Sequence, residues 1–235
     1  MKENNDMVFS YTFIFPNEQR KEFVIKVDPT TMNIIKTDRG SYPDWSKLEN
    51  FKCPHCPLQG KYYEYCPVAM NIVDMIQEFR DMPSFQHAEV FVETENRTYT
   101  KKTSLQSGVS SMMGILMVSS GCPIMGKLKP MLHFHLPFAS LEETQFRALS
   151  FYLLSQYVSW KRGRNPDWDM NELVNIYENI RTLNHSVSKK IANLEVMDTS
   201  INSLVILNNF ADYVTFTIDE KVIEELEFYL KGFLE

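Results

Sequence analysis

The sequence has no uninterrupted apolar stretch of membrane-spanning length. Its most apolar helical segment, around MMGILMV, is short and closely flanked by Ser and Gly, whereas a span takes about 20 apolar residues. The opening residues, MKENNDMVFSYTFIF, lack the basic region followed by a continuous apolar one that marks a secretory signal. Neither membrane insertion nor secretion is expected, and the cytoplasm is the expected compartment. Glycine is scarce, at 8 residues in 235. Gly108, Gly114 and Gly121 lie in a Ser-rich run, but without the Lys of a phosphate-binding loop or the spacing of a dinucleotide turn. GxSxG, HExxH and the basic–aromatic pattern of an RNA-binding sheet are also missing. Basic residues are not concentrated: 24 Lys and Arg against 30 Asp and Glu give a net charge of −6. The one basic run, KRGR at Lys161 to Arg164, reads as a solvated loop between helices. Nucleic acid is therefore not an expected partner.

What remains is an ordinary globular composition, 44% hydrophobic and 23% charged. A chain of this length buries roughly 70% of its unfolded surface on folding. It has no general need of a metal or a disulfide, so any such site requires a local explanation.

Periodicity supplies the elements. Met7, Phe9, Tyr11, Phe13 and Phe15 alternate with Val8, Ser10, Thr12 and Ile14, the pattern of a strand with one apolar face, and this aromatic-rich strand is a candidate sheet edge needing cover. PNEQ turns the chain, Phe23, Ile25 and Val27 mark the return, and DPTTMNII suggests another turn and a candidate short strand. A second hairpin spans His87 to Thr94 and Arg97 to Thr103 around Glu95-Asn96, a loop where Asn tolerates a left-handed conformation. Asn96-Arg97-Thr98 has the form of a glycosylation sequon, but without secretion it is part of the turn. Between the hairpins Val68, Ile72, Met75, Ile76 and Phe79 share one helical face. Helices are then expected at Leu105 to Ser119, Leu141 to Lys161, Asn171 to Asn184, Ser186 to Met197, Ile201 to Tyr213 and Asp219 to Phe233, with a capping box at Ser140 and Glu143 and acidic residues of TIDEK opening the last. No repeat or flexible linker divides them. The expected fold is α+β over residues 1–235 as a single domain: an antiparallel sheet of four to five strands packed with a C-terminal helical bundle. Residues 1–104 form the sheet-rich part with the cysteine loop and first helix, and 105–235 the helical part.

The distinctive feature is cysteine. Cys53 and Cys56 stand in C-x-x-C spacing, Cys66 follows after nine residues and Cys122 after fifty-five more, and each of the four precedes proline. Reducing conditions favour thiols or metal ligands over disulfides. A C-P-x-C loop can direct two sulfurs at one point, and Cys66 and Cys122 both read as helix N-caps, where backbone N–H groups stabilise thiolate charge. Two loop and two helix-start thiolates make a tetrahedral set suited to zinc. A zinc ribbon repeats C-x-x-C, however, and this chain does not, so a 4Fe-4S cluster held by irregularly spaced Cys-Pro ligands stays open, as do buried unliganded thiols. Four thiolates leave no coordination position for a catalytic water.

Other chemistry has simpler readings beside it. His133 and His135 in MLHFHLPF fall on one side if extended, a spacing for metal binding or proton transfer, but flanking Phe and Leu suggest half-buried, hydrogen-bonded rings. Glu142 and Glu143 form an acid/base pair in the catalytic reading and a capping box with an Arg147 ion pair in the structural one. Met112, Met113, Met117, Met125 and Met131 crowd the region of Cys122 and invite copper, yet Met is a common filler of irregular cores.

The combination CPHCPL, YCPVAMNIVD, TYTKKTSLQ, SSGCP, HFHLPFASLEET and NPDW resembles an uncharacterised bacterial family built on a domain of unknown function, over nearly the whole length. The resemblance implies a bacterial cytoplasmic protein sharing Cys53, Cys56, Cys66 and Cys122, and it supplies no catalytic residue. The resulting expectation is a non-enzymatic cytoplasmic metalloprotein with structural zinc on the four cysteines, acting as an interaction or regulatory module for a protein partner. The alternatives are an iron–sulfur redox or sensor protein and an enzyme using His133 and His135 with Glu142 or Glu143.

Overall fold

The computed structural model describes residues 6–36, 40–194, 197–215 and 220–235. Strands β1 (Met7–Ile14), β2 (Arg20–Val27), β3 (His87–Glu93) and β4 (Thr98–Ser104) form one antiparallel sheet in the order β2-β1-β3-β4. The fold is α+β, as the sequence indicates, with four strands. Strand β1 is central and not an edge. It pairs with β2 from Met7↔Val27 to Ile14↔Arg20 and with β3 from Ser10↔Glu93 to Ile14↔Glu89. Residues directly opposite one another share a face. Phe9 beside Ile25, and Phe13 beside Val90, thus build one apolar surface, on which Phe9, Tyr11, Phe13 and Phe15 are all buried.

The turns depart from expectation in two places. Glu95-Asn96 closes β3 to β4 with the Thr94 N–H donating to the Arg97 carbonyl at 2.9 Å, but Asn96 is not left-handed; among non-glycine residues that conformation falls to Glu18, Met32, Phe138 and Met170. DPTTMNII forms no fifth strand. The Asp28 carboxylate accepts from the Thr30 and Thr31 N–H groups at 3.1 and 2.6 Å, and the side-chain-closed turn ends in one bridge, Val27↔Ile34.

Eight α-helices are described: α1 (Leu48–Phe51), α2 (Pro67–Phe79), α3 (Leu105–Val118), α4 (Lys129–His133), α5 (Leu141–Lys161), α6 (Asn171–Ile191), α7 (Thr199–Thr215) and α8 (Glu220–Leu234). Helix α2 buries Val68, Ile72, Met75, Ile76 and Phe79, the face expected of it. The break expected near His185 is absent. Leu173, Tyr177, Ile180, Leu183, Val187 and Ile191 keep one stripe in phase through it, and neither Gly nor Pro intervenes. The residues of TIDEK before Glu220 lie outside the described ones. No described helix is long and apolar enough to cross a membrane.

Both α2 and α3 cover the apolar face of the sheet. Phe79 of α2 meets Phe13 with ring centroids 5.1 Å apart, and Gly108 of α3 sits against the same Phe13 ring. Met112, Met113 and Met117 of α3 are fully buried, the core-packing role. Helix α7 packs between α3 and α6. Its start is fixed by Asp198, which accepts from the Ser84 N–H at 2.9 Å, and by the Ser203 hydroxyl donating to the Gln106 carbonyl at 2.9 Å.

Two glycines of α3 are predicted to respond in opposite senses to alanine. A Cβ at Gly108 would lie 2.7 Å from the Phe13 ring and 3.0 Å from a Val90 methyl. Gly108→Ala is expected to lower unfolding free energy by about 1–3 kcal/mol. A Cβ at Gly114 meets nothing closer than Leu207 at 3.9 Å, so Gly114→Ala is expected to raise it by about 0.5–1 kcal/mol. Urea titration followed by circular dichroism measures both, and an unchanged Gly108→Ala midpoint contradicts the close seating of α3.

Candidate functional site

The cysteines come together through backbone pairing. The Cys66 N–H donates to the Ser46 carbonyl at 2.9 Å and the Leu48 N–H to the Glu64 carbonyl at 2.8 Å, with Lys47 and Tyr65 bridged between them. The chain from Leu48 to Glu64 is thus closed at its base, so Cys53 and Cys56 belong to the same loop that delivers Cys66 to α2. Inside it the Cys56 N–H donates to the Cys53 carbonyl at 3.1 Å, the tight turn of C-P-H-C. Cys122 arrives from the other side. The Asn71 amide in α2 donates to the Leu116 carbonyl at 2.9 Å, tying the start of α2 to the end of α3. Beyond α3 the Ser119 and Ser120 hydroxyls satisfy the Ile115 and Met117 carbonyls, each at 2.7 Å, and Gly121 turns the chain with φ +89°. That left-handed conformation suits glycine and reverses the chain just before Cys122.

Cys66 is the N-cap of α2 with Pro67 in the first turn, as expected. Cys122 is not a helix N-cap: it opens a turn, closed by the Gly126 N–H on its carbonyl at 2.8 Å, that runs into a 3-10 segment at Met125–Leu128. The local electrostatics are nevertheless the same. The N–H groups two and three residues on, Val68 and Ala69 for Cys66 and Ile124 and Met125 for Cys122, favour the thiolate. At Cys66 this is a charge–dipole influence and not a formed side-chain cap.

Burial is the larger effect. Cys53, Cys66 and Cys122 are 6–7% exposed, and loss of water raises the pKa of all three thiols, Cys66 to about 12. Negative charge on neighbouring sulfurs raises them further. Cys53 feels Cys122 and Cys56, Cys66 feels Cys53 and Cys122, and Cys122 feels Cys56. Each of the four thiols therefore lies within electrostatic range of at least two others. Ser186 of α6 and Lys190 one turn on pull the other way. Lys190 also donates to the Asn50 carbonyl at 3.0 Å. None of the four forms a disulfide. As the side chains stand, no group of three or more His, Cys, Asp or Glu among the described residues is arranged to hold a metal ion.

Sequence reasoning passed over His55, inside C-P-H-C. Its Nε2 lies 3.0 Å from the Asn179 carbonyl, and its Nδ1 is buried without a partner. With Nε2 protonated for that carbonyl, Nδ1 is left with a free lone pair.

His133 and His135 part company. The segment is a helical turn and not extended: His133 ends α4, exposed against Phe134, while His135 faces inward. The His135 Nε2 lies 2.8 Å from the Tyr11 hydroxyl, which is 2.9 Å from the Ser111 hydroxyl. Glu142 and Glu143 are exposed and serve the start of α5. The Glu143 carboxylate accepts from the Ser140 N–H at 2.7 Å, and the Ser140 hydroxyl accepts from the Glu143 N–H at 3.1 Å. Glu142 is held below its usual pKa by the Ser140 hydroxyl and its own N–H.

His135 lines a cavity of about 250 Å³ between α3, α5, α6, α7 and the segment from Met125 to Ala139. Arg147 of α5 reaches its wall, where one Nη donates to the Met131 and Phe134 carbonyls at 3.1 and 2.6 Å. Tyr177 and Asn184 of α6 and Ser110 of α3 complete its polar side. These residues were not legible as a site, since each sits in an unremarkable helical stretch. The available signal was a polar residue at a buried position of an apolar stripe, as at Ser110 and Asn184.

The family model described as a domain of unknown function, DUF6901, matches residues 9–231. No curated protein and no solved structure matches the chain.

His135 makes stability depend on pH. Burial, and then the charge of Arg147, lowers its pKa from 6.5 to about 3. Between those values the unfolded chain binds the extra proton, so the fold loses stability as pH falls from about 6.5 toward 3. The slope is about 1.4 kcal/mol per pH unit for one such group. Unfolding at pH 7 and pH 5 is expected to differ by up to about 2 kcal/mol more in the native protein than in His135→Gln. Equal slopes would remove His135 from a protonation-excluding environment.

Proposed function

The chain belongs to the DUF6901 family, and from its own residues we propose that it is a cytoplasmic metal-binding protein in which Cys53, Cys56, Cys66 and Cys122 hold one zinc ion. The ion is a structural centre, and the protein serves as an interaction or regulatory module, not an enzyme. The observation that carries the reading is that thiols from three separate segments bear on one another's ionisation. A surface or unrelated core cysteine has no reason to sit with three others.

The donor chemistry fits. Three buried thiols, Cys53, Cys66 and Cys122, with half-buried Cys56 beside them, are poor at ionising alone and good at ionising against a divalent cation, which replaces their protons. The Val68, Ala69, Ile124 and Met125 N–H groups are placed to stabilise ligand thiolates, the supporting shell that orients metal ligands. A closed cage requires the side chains to turn toward a common point, since no three occupy ligand positions as they stand. Bound zinc would supply a cross-link between the cysteine loop, the start of α2 and the end of α3. Four thiolates fill its tetrahedral shell, leaving no place for an activated water.

Protein purified without oxygen or chelator is expected to be colourless with about one zinc per chain by elemental analysis. Cys66→Ser and Cys122→Ser should each lose the zinc, and a strong chelator should lower the melting temperature of the native protein but not of these variants. A brown sample with iron and acid-labile sulfide would replace zinc by an iron–sulfur cluster on the same ligands. Metal-free protein with chelator-insensitive melting would remove the metal altogether.

A further inference from the structure

The cavity beside His135 has none of the thiols in its wall and carries chemistry of its own. Its volume is about 250 Å³. An apolar cavity of about 150 Å³ accommodates benzene, so this one holds a ring with a short substituent, on the order of ten non-hydrogen atoms. Most of the wall is apolar, including Ile115, Leu132, Ile180 and Leu207.

The polar groups are few and incompletely used. Ser110 and Asn184 are each 2% exposed and line the cavity, yet the Ser110 hydroxyl and the Asn184 Oδ1 have no hydrogen-bond partner. Leaving a buried polar atom unpaired costs about 1–3 kcal/mol, and such atoms in a native fold call for an explanation. Phe138, also in the wall, has φ +59°. A bulky side chain in the left-handed region is a strained conformation of the kind that collects at ligand sites.

Charge identifies the class of ligand. Arg147 and Lys101 line the cavity and, among the described residues, no Asp or Glu does. Arg147 is partly buried and its pKa is lowered by lost hydration, which the charge of Glu143 one turn back opposes only in part; no described carboxylate lies within ion-pair distance of it. One Nη is taken by two backbone carbonyls, while its Nε and other Nη make no hydrogen bond among the described residues. Lys101, exposed on β4, holds its ammonium 6.0 Å from the Phe138 ring, which marks the mouth. The His135–Tyr11–Ser111 chain is internally hydrogen-bonded and adds polarity without charge. One desolvated guanidinium in an apolar chamber matches a single negative charge carried on a small apolar body.

We propose that this cavity is a binding site for a small apolar carboxylic acid in its ionised form, with the carboxylate at Arg147 and the hydrocarbon between α3, α6 and α7. Unpaired Ser110 and Asn184 then select ligands that carry a second polar group. The site does not depend on what the cysteines bind.

The test uses the full chain at pH 7 with benzoate, benzyl alcohol and benzamide, three probes of one size and different charge, followed by calorimetry. Benzoate is expected to bind with a Kd of about 1 mM or tighter and at least about tenfold more tightly than the two neutral probes, a difference one good charge contact supplies. Arg147→Gln should erase that preference. Because Arg147 also braces two carbonyls, Gly114→Leu is the second variant: it fills the cavity from α3, where a Cβ meets nothing closer than 3.9 Å, and should abolish binding of every probe. Equal affinity of the three probes for the native protein, no binding by any, or benzoate binding that survives Gly114→Leu each overturns the proposal.

Discussion

The close approach of α3 to the central strand is the constraint on which the rest of the molecule depends. Phe13 is wholly buried, its ring shared between Phe79 of α2 and the bare backbone of Gly108 in α3. Any side chain at Gly108 would push the helix off the sheet. With the two helices seated on one ring, their far ends fall at fixed places. The start of α2 and the end of α3 meet through Asn71 and Leu116, and that meeting gathers cysteines more than fifty residues apart in sequence. Two residues back along the same strand, Tyr11 points to the same side and binds His135 and Ser111, fixing a wall of the cavity.

Thiols and cavity are neighbours along α3 and α6. Met125 offers its N–H toward Cys122 and its side chain to the cavity; Ser186 touches Cys53 two residues beyond Asn184, which lines the cavity. The packing that brings the sheet-rich half to the helical half therefore builds both places at once. The buried cluster runs without interruption from Phe9 to Val214.

Local chemistry was the legible part. Alternation in β1, the Pro after Cys66 and the Ser140–Glu143 box each set their own backbone within a few residues, and each stands in the structure as read. Errors came where longer range decides. Strand β1 is interior because β3 returns to its free side, which no pattern within β1 records. Helix α6 runs through His185 because its buried stripe continues into Val187 and Ile191. Cys122 is brought to the thiol cluster by a turn at Gly121 and two serine hydrogen bonds, and not by a helix start. The cavity was the least legible feature, since Ser110, His135, Arg147 and Asn184 converge only after four helices have packed.

The placement of the strands has one more outcome. With β1 and β3 inside, the outer positions fall to β2 and β4, whose exposed residues include Arg20 and Lys26 on one and Lys101 and Lys102 on the other. A strand from another molecule docking along either border would have to strip water from these cations. Exposed charge of this kind on a border strand is one of the devices that discourage strand addition.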